Sequence, residues 1–248
     1  MKLITLNTWG ARIKDPFREF IKRNQNIDIF CMQELYEKAV DKLGKQYPDS
    51  HHDIFTEIKE SLLPEHNAFF RPCVEGVYGI GMFIHKKYDV LEEGEITIHP
   101  NRSEEGIIDG KHSRILQWLK FEIEDNVCTV VNVHGLWNGN GKTDTPDRIN
   151  QSKRIKEFMD SITTPKILCG DFNLRPDTES LNIVSEGLND QVKINEVTST
   201  RTSLYKKDEK FADYVFTSPD IIVNKFEVMI DEVSDHSPLL LDFSLIAK

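Results

Sequence analysis

The sequence predicts an α/β fold in which two mixed β-sheets pack face to face with helices outside. Three observations lead there. The first third of the chain alternates strand-like and helix-like segments. The stretch 79–135 is mostly apolar strand runs, which suggests antiparallel hairpins and argues against a purely parallel, doubly wound sheet. No internal repeat and no low-complexity linker interrupts the 248 residues, so a single domain over residues 1–248 is expected.

In order, KLITLN (2–7) reads as the first strand. DPFREFIKRN (15–24) reads as a helix, with Asp15 as cap and Pro16 at the first helical position. IDIFCMQ (27–33) is a strand, and YEKAVDKLGKQY (36–47) a charged helix with apolar returns at Ala39, Val40 and Leu43. GIGMFIHK (79–86), RILQWLKFEI (114–123), VCTVVNVHG (127–135) and KILCG (166–170) are further strands, many of them rich in Val, Ile and Phe. Between the last two, TPDRINQSKRIKEFMDSI (145–162) repeats the cap-and-proline pattern from Thr145. It sets Ile149, Ile155, Phe158, Met159 and Ile162 on one side. PDTESLNIVSEG (176–187) predicts a helix ended by Gly187. The strands ADYVFTS (212–218), IIVNKFEVMI (221–230) and PLLLDFSLI (238–246) finish the chain.

Hydrophobic residues make up 39% and charged residues 29%, a balance that supports a packed core and excludes a disordered chain. No apolar run approaches the ~20 residues of a membrane span. The opening MKLITLNTWG has no small-residue cleavage site and reads as a strand, not a secretion signal. The cysteines Cys31, Cys73, Cys128 and Cys169 form no CxxC pair, and three of them lie in or beside apolar runs. Reduced thiols in a cytoplasmic protein are expected, and zinc is not. A net charge of −10 does not advertise a bulk grip on nucleic acid, although a local basic patch or a bound dication can offset it. Of the two basic stretches, 148–158 reads as the solvated face of a helix and 201–210 as a loop. A monomer is the default expectation.

The junctions where strands meet loops carry the chemistry. LITLN ends at Asn7, IFCMQE at Glu34, VVNVH at His134, and ILCGDFN at Asp171 and Asn173. Asp213 opens a strand, while Asp235 and His236 precede the last one. Each has an ordinary explanation alone: Glu34 as a helix-start charge, His134 as a core histidine, Asp213 and His236 as a structural ion pair. Together they bring oxygen ligands for Mg²⁺, histidines, an amide donor and a spare carboxylate to strand ends, where ligand sites collect. That set suits hydrolysis of a phosphate ester. No Gly-rich phosphate loop and no GxSxG is present, so neither nucleoside-triphosphate binding nor serine hydrolysis gains support.

TLNTWG, CMQEL, YGIGMFI, NVHG, ILCGDFN, DYVF and SDHSPLLL, in this order from residue 5 to 241, resemble the motifs of the endonuclease/exonuclease/phosphatase superfamily, the deoxyribonuclease I-like fold. The resemblance implies a four-layer α/β sandwich and a Mg²⁺-dependent phosphoesterase, with Mn²⁺ as a substitute. It implies in-line attack of water on phosphorus, with a phosphodiester as the expected substrate. A DNA or RNA nuclease, or a phosphatase or phospholipid head-group hydrolase, is the alternative, an inositol phosphate being among the possible substrates, and a non-catalytic binding module is the remaining one. Carried over by motif, Glu34 is the principal metal ligand, with Asn7 and Asp235 completing or supporting the site. Asp171 orients or deprotonates the attacking water, and Asn173 donates to a non-bridging phosphate oxygen. His236 binds the phosphoryl group or moves a proton, and Asp213 fixes its tautomer. His134 is a general acid or a phosphate contact. Its motif departs from the abasic-site endonucleases, which place Tyr there, and agrees with the deoxyribonuclease I, sphingomyelinase and inositol-phosphatase branches. Trp9 stands where the abasic-site branch has an Asp, which implies one principal metal ion. Arg114, Arg148 and Gln151 match recurring polar positions. Trp137 and Asn138, in the Gly-rich loop LWNGNGKTD, are expected to face substrate, and Gly170 is expected to give it a close approach to the backbone.

Overall fold

A computed structural model describes residues 1–100, 102, 108, 111–123, 126–139 and 141–246. The strands among them are β1 (Lys2–Asn7), β2 (Ile29–Tyr36), β3 (His66–Val74), β4 (Tyr78–His85), β5 (Val90–His99) and β6 (Arg114–Ile123). They continue as β7 (Asn126–His134), β8 (Lys166–Asp171), β9 (Asn189–Asp190), β10 (Asp213–Thr217), β11 (Ile221–Val228) and β12 (Leu239–Leu245). The α-helices are α1 (Lys14–Arg23), α2 (Val40–Leu43), α3 (Ile54–Glu57), α4 (Pro146–Ser161), α5 (Glu179–Ser185) and α6 (Gln191–Ile194). One sheet has the strand order β11-β12-β1-β2-β4-β3 and the other β5-β6-β7-β8-β10-β9. β1 and β2 pair in parallel, as do β7 and β8, while their other partners are antiparallel. Both sheets are therefore mixed, as the sequence predicts.

Alternation of side chains along the central strands divides the interior into three apolar layers. Leu3, Ile29, Cys31 and Met82 of the first sheet meet Phe121, Cys128, Ile167 and Cys169 of the second between the sheets. The opposite face of the first sheet, with Ile4, Phe30 and Phe83, packs on Phe17, Phe20 and Ile21 of α1 and on Phe55 of α3. The opposite face of the second, with Val131, Val133 and Leu168, packs on Ile155 and Met159 of α4 and Leu181 of α5. Helix, sheet, sheet, helix is the four-layer sandwich. Three of the four free cysteines lie buried in the middle layer, and Cys73 is half-buried. Among the described residues no helix is long and apolar enough to cross a membrane.

Local departures from the sequence reading have physical causes. The helix expected over 36–47 is reduced to one turn, α2, because Leu35 and Tyr36 stay in β2, pairing with Gly79 and Tyr78 and burying their side chains. α1 begins at Lys14, with no side-chain cap, and Pro16 sits inside its first turn, where backbone N–H groups lack helical partners anyway. Thr145 caps α4 as expected, its hydroxyl accepting from the Arg148 N–H. Thr178 does the same for α5, so that helix starts later than expected. β3 and β5 escape sequence reading. Both are edge strands, β3 interrupted by Pro72 and β5 studded with exposed glutamates, features that blunt sheet edges and hide strand periodicity.

Buried amide side chains bridge the sheets through hydrogen bonds, Gln117 of β6 reaching the Phe69 carbonyl of β3 at 2.9 Å, and Gln33 reaching across from β2. Gln33 Nε2, on β2, donates to Asn132 Oδ1, on β7, at 2.7 Å. Asn132 Nδ2 in turn lies 3.2 Å from both the Met32 and Gly81 carbonyl oxygens. Both side chains are fully buried, so their hydrogen bonds must come from protein groups, and Gln33 Nε2 also lies 3.2 Å from Thr5 Oγ1 and from the Cys31 carbonyl oxygen. Replacing Asn132→Leu should lower the unfolding free energy by about 2 kcal/mol, because the Gln33 amide loses a partner that water cannot replace. Urea denaturation of the two proteins measures the difference.

Candidate active site

Asn7 and Glu34 come from the carboxyl-terminal ends of the parallel pair β1–β2, and His134 and Asp171 from those of β7–β8. Asp213 stands directly opposite Asp171 in the β8–β10 register. The loop before β12 brings in Asp235 and His236, fixed by an antiparallel bridge between His236 and Arg201. Eight positions predicted from strand ends thus share one region, with Asn173 just beyond β8.

The backbone is bent to present these groups. β2 carries a bulge between Gln33 and Leu35, with Glu34 as the extra residue at φ +58°. The bulge lets Gln33 face the sheet interface and Leu35 face the helices, leaving Glu34 free to turn outward. Asn173 also has a left-handed backbone, φ +54°. Such residues are held by their surroundings at a cost of order 1–3 kcal/mol, and they gather at functional sites. Gly170 plays a different part from the one expected. At φ +134°, any Cβ there would lie 2.1 Å from the Val133 carbonyl oxygen, so the glycine serves close approach of β7 to β8, not of substrate.

Asp171 is the hub of the hydrogen bonding. Its Oδ2 accepts from Asn7 Nδ2 at 2.9 Å and Asn173 Nδ2 at 3.2 Å, and its Oδ1 accepts from the Asn173 N–H at 2.8 Å. The same Oδ2 is 3.7 Å from His236 Nε2 and 3.8 Å from His134 Nε2. Asn7 Nδ2 also donates to Glu34 Oε1 at 3.0 Å, while its Oδ1 accepts from the Trp9 N–H. Asn7 therefore aligns two carboxylates, one from each sheet. His236 Nδ1 donates to Asp213, with oxygens at 2.8 and 2.9 Å, and Thr200 Oγ1 steadies Asp213 at 3.2 Å.

The two histidines are tuned oppositely. Burial pushes the His134 imidazole well below its ordinary range, and the Arg114 guanidinium, 3.2 and 3.3 Å from its two ring nitrogens, pushes it further. Burial also opposes the charge on His236, but the Asp213 and Asp171 carboxylates outweigh it and raise His236 above its ordinary range. Asp171 is disfavoured by burial too, yet His236, Lys142 and His134 hold its carboxyl well below the usual carboxylate range. Glu34 goes the other way. Burial raises it most, and the neighbouring Asp235 and Asp171 charges raise it more. Asp235 Oδ1 is a buried acceptor that receives no hydrogen bond. Carboxylate oxygens crowded together, one of them without a hydrogen-bond donor, suit a hard divalent cation. Asp171, Asp213 and His236 likewise offer ligand atoms within 4.8 Å of one another, a spacing at which an ion could be held.

Glu34, His134, Asp171, Asn173, Asp235 and His236 line a cleft of about 460 Å³, with Asn7 and Asp213 holding them from outside its lining. Two buried residues of its wall, Lys142 and Arg201, are absent from the sequence-predicted site. Lys142 Nζ donates to Asn173 Oδ1 at 2.9 Å, and burial lowers its ammonium to about 8. Both lie in loops of charged and polar residues that look ordinary in sequence. The only signal was their place in the Gly-rich and basic stretches. Arg114 and Trp137 face the cleft as expected, whereas Asn138 is half-buried outside its lining and Asn140 lies outside the described residues. Arg148 and Gln151 support the wall from behind. Arg148 donates to the Leu136, Gly141 and Thr143 carbonyls, and Gln151 Oε1 accepts from the Leu136 N–H.

The histidine tuning has a sign that can be measured. His236, raised in the folded protein, contributes stability present below about pH 6.5 and lost as pH climbs through its folded value. His134, depressed, contributes stability present above about pH 6.5 and lost as pH falls. In an NMR titration of the metal-free protein, the His236 imidazole should stay protonated to higher pH than a free histidine, and His134 should stay neutral to lower pH.

A sequence model of the Endonuclease/Exonuclease/phosphatase family matches residues 4–236. No curated protein matches the chain significantly. Several solved structures share its fold. A family protein from Bacteroides thetaiotaomicron superposes with a TM-score of 0.75 at 19% identity, covering 100% of this chain and 98% of that one. A mannosyl-6-phosphatase from the same organism gives 0.72 at 19% identity, covering 99% and 100%. TDP2 of D. rerio, complexed with a single-strand DNA product, gives 0.69 at 16% identity, covering 98% of each chain. The fold of two packed mixed sheets and the family match over nearly its whole length place this protein in the endonuclease/exonuclease/phosphatase family, whose members are hydrolases acting on phosphoesters.

Proposed function

We propose that the protein is a divalent-metal-dependent phosphoric ester hydrolase that works by in-line attack of water on phosphorus. The observation that carries this reading is the meeting of Asp171, Asn173, His134 and His236 beside the Glu34 and Asp235 carboxylates in one cleft fed by both sheets. That shared cleft also supports a single domain over residues 1–248.

Each group has a part set by its environment. Asp171, held ionised, orients or deprotonates the attacking water through its accepting oxygens. His134, kept neutral by burial and by Arg114 and with its Nε2 3.8 Å from Asp171 Oδ2, is a poor proton acceptor and instead contacts a phosphate oxygen through its ring N–H. His236, kept cationic by Asp213, donates to a phosphoryl oxygen or to the departing alkoxide. Asn173 Nδ2, 3.2 Å from Asp171, is placed to donate to a non-bridging oxygen in the same step. Glu34 and Asp235 would hold a Mg²⁺ ion, with Mn²⁺ as a substitute, and Asn7 keeps Glu34 in place. Bound there, the ion would polarise the phosphoryl oxygen and stabilise the departing oxyanion.

The chemistry is common to diesters, which the sequence favours, and to monoesters. A nucleic-acid substrate is the second reading, favoured by Trp137, 41% exposed at the cleft with the Lys207 ammonium 5.6 Å from its ring centre. Cleavage of plasmid or single-stranded oligonucleotides would distinguish it. The free thiols support a reducing compartment such as the cytoplasm.

Removal of divalent metal with EDTA should abolish hydrolysis of a chromogenic phosphate ester, and added Mg²⁺ should restore it. Glu34→Gln and His236→Ala should each cost about 100-fold or more in kcat. Glu34→Gln should also leave the metal-free melting temperature unchanged or raised, since it removes a carboxylate that its neighbours repel. A variant that kept its rate would count against the assignment, and calorimetry reads metal affinity separately.

A further inference from the structure

Three cations to which that scheme gives no substrate contact are buried around the place a phosphoryl group would occupy. Lys142 is 3% exposed, and its ammonium has donors to spare beyond the bond to Asn173. The Arg201 side chain is 6% exposed, and its guanidinium carbon sits over the Tyr205 ring, 4.0 Å from its centre. Its Nη1 is 3.5 Å from Asp235 Oδ2, yet neither Nε nor Nη1 makes a hydrogen bond. Arg114, also 3% exposed, rests against His134 and leaves its Nε without a bond. All three line the same cleft, where, among the described residues, six Lys or Arg side chains stand against three carboxylates in a protein of net charge −10. Buried cationic donors left unfilled are costly unless an anion completes them. The surplus of positive charge is local, and the cleft wall focuses it.

We propose that Lys142, Arg201 and Arg114 form a dianion-reading subsite that makes a terminal phosphate monoester the preferred substrate. The inference rests on the hydrolase reading and departs from the diester expected from sequence. A monoester offers three terminal oxygens and a charge of about −1.5 to −2 at neutral pH. A diester offers two terminal oxygens and a single charge, so some of these buried donors would stay unfilled. The guanidinium of Arg201 suits the task because Tyr205 packs against it, and a planar fork binds phosphate oxygens in pairs. Its backbone is bridged to that of His236, so the reading group and the proton donor keep their spacing. Lys142 reaches the same phosphoryl oxygens from the Asn173 side.

The test compares p-nitrophenyl phosphate with bis(p-nitrophenyl) phosphate, each with Mg²⁺, for the wild type, Lys142→Met, Arg201→Met and Arg201→Lys. Wild type should prefer the monoester in kcat/KM. The two methionine variants should lose about tenfold or more on the monoester and less than about threefold on the diester, with partial recovery in Arg201→Lys. The ratio of the two rates comes from one preparation, so partial misfolding scales both alike. Calorimetric titration with inorganic phosphate should give affinities that fall in the same order. Equal losses on the two esters, a wild-type preference for the diester, or phosphate affinity unchanged in both methionine variants would overturn the subsite. Failure to turn over either ester would instead sink the hydrolase reading, and phosphate affinity would still decide the subsite.

Discussion

The bond from Gln33 Nε2 to Asn132 Oδ1, 2.7 Å long and fully buried, pins one sheet to the other, with Gln117 bonded to the Phe69 carbonyl as a second tie. Apolar packing between sheets is strong but non-directional, and it tolerates small slides. A buried amide pair does not, since a shift of an ångström leaves both groups unsatisfied. The cleft needs that precision because its parts are divided between the sheets. Asn7 and Glu34 belong to one, His134 and Asp171 to the other, and Asn7 Nδ2 spans the gap to carboxylates of both. A slide of one sheet over the other would separate them.

The cleft concentrates features that do not favour stability. Glu34 and Asn173 hold left-handed backbone conformations. Asp235 keeps a buried oxygen without a donor, and Arg201 keeps buried donors without an acceptor. Glu34 is raised by the carboxylates beside it. These unmet demands are of two kinds, carboxylate oxygens crowded together and donors lacking an anion. A dication and a phosphate would meet them together. The rest of the molecule, with three well-filled apolar layers, offsets the strain that this edge carries.

Charge placement also divides the labour between groups of the same type. Two histidines within 4 Å of Asp171 differ in state because one faces Arg114 and the other Asp213. Opposed tuning of this kind lets one fold hold a cationic and a neutral imidazole at the same pH. Arg148, fully buried behind the cleft, feels the Asp171 charge only at a distance. Its guanidinium is spent on carbonyl groups of the loop that carries Trp137 and Lys142.

The sequence by itself determined the class of fold, most central strands, the helix capped by Thr145, and the polar tips from Asn7 to His236. Strand periodicity, capping chemistry and polar residues at strand ends are local properties, written in neighbouring positions. The edge strands β3 and β5 were not legible, because their burial pattern is blunted where a sheet meets solvent. The short α2 was not legible either, since the pairing of Leu35 and Tyr36 with a strand some 40 residues later overrides helix propensity. Tertiary structure alone decided that Lys142 and Arg201 enter the cleft, that Arg148 does not, and that Gly170 serves strand contact. Each of those outcomes depends on distances between segments far apart in the chain, which no local pattern encodes.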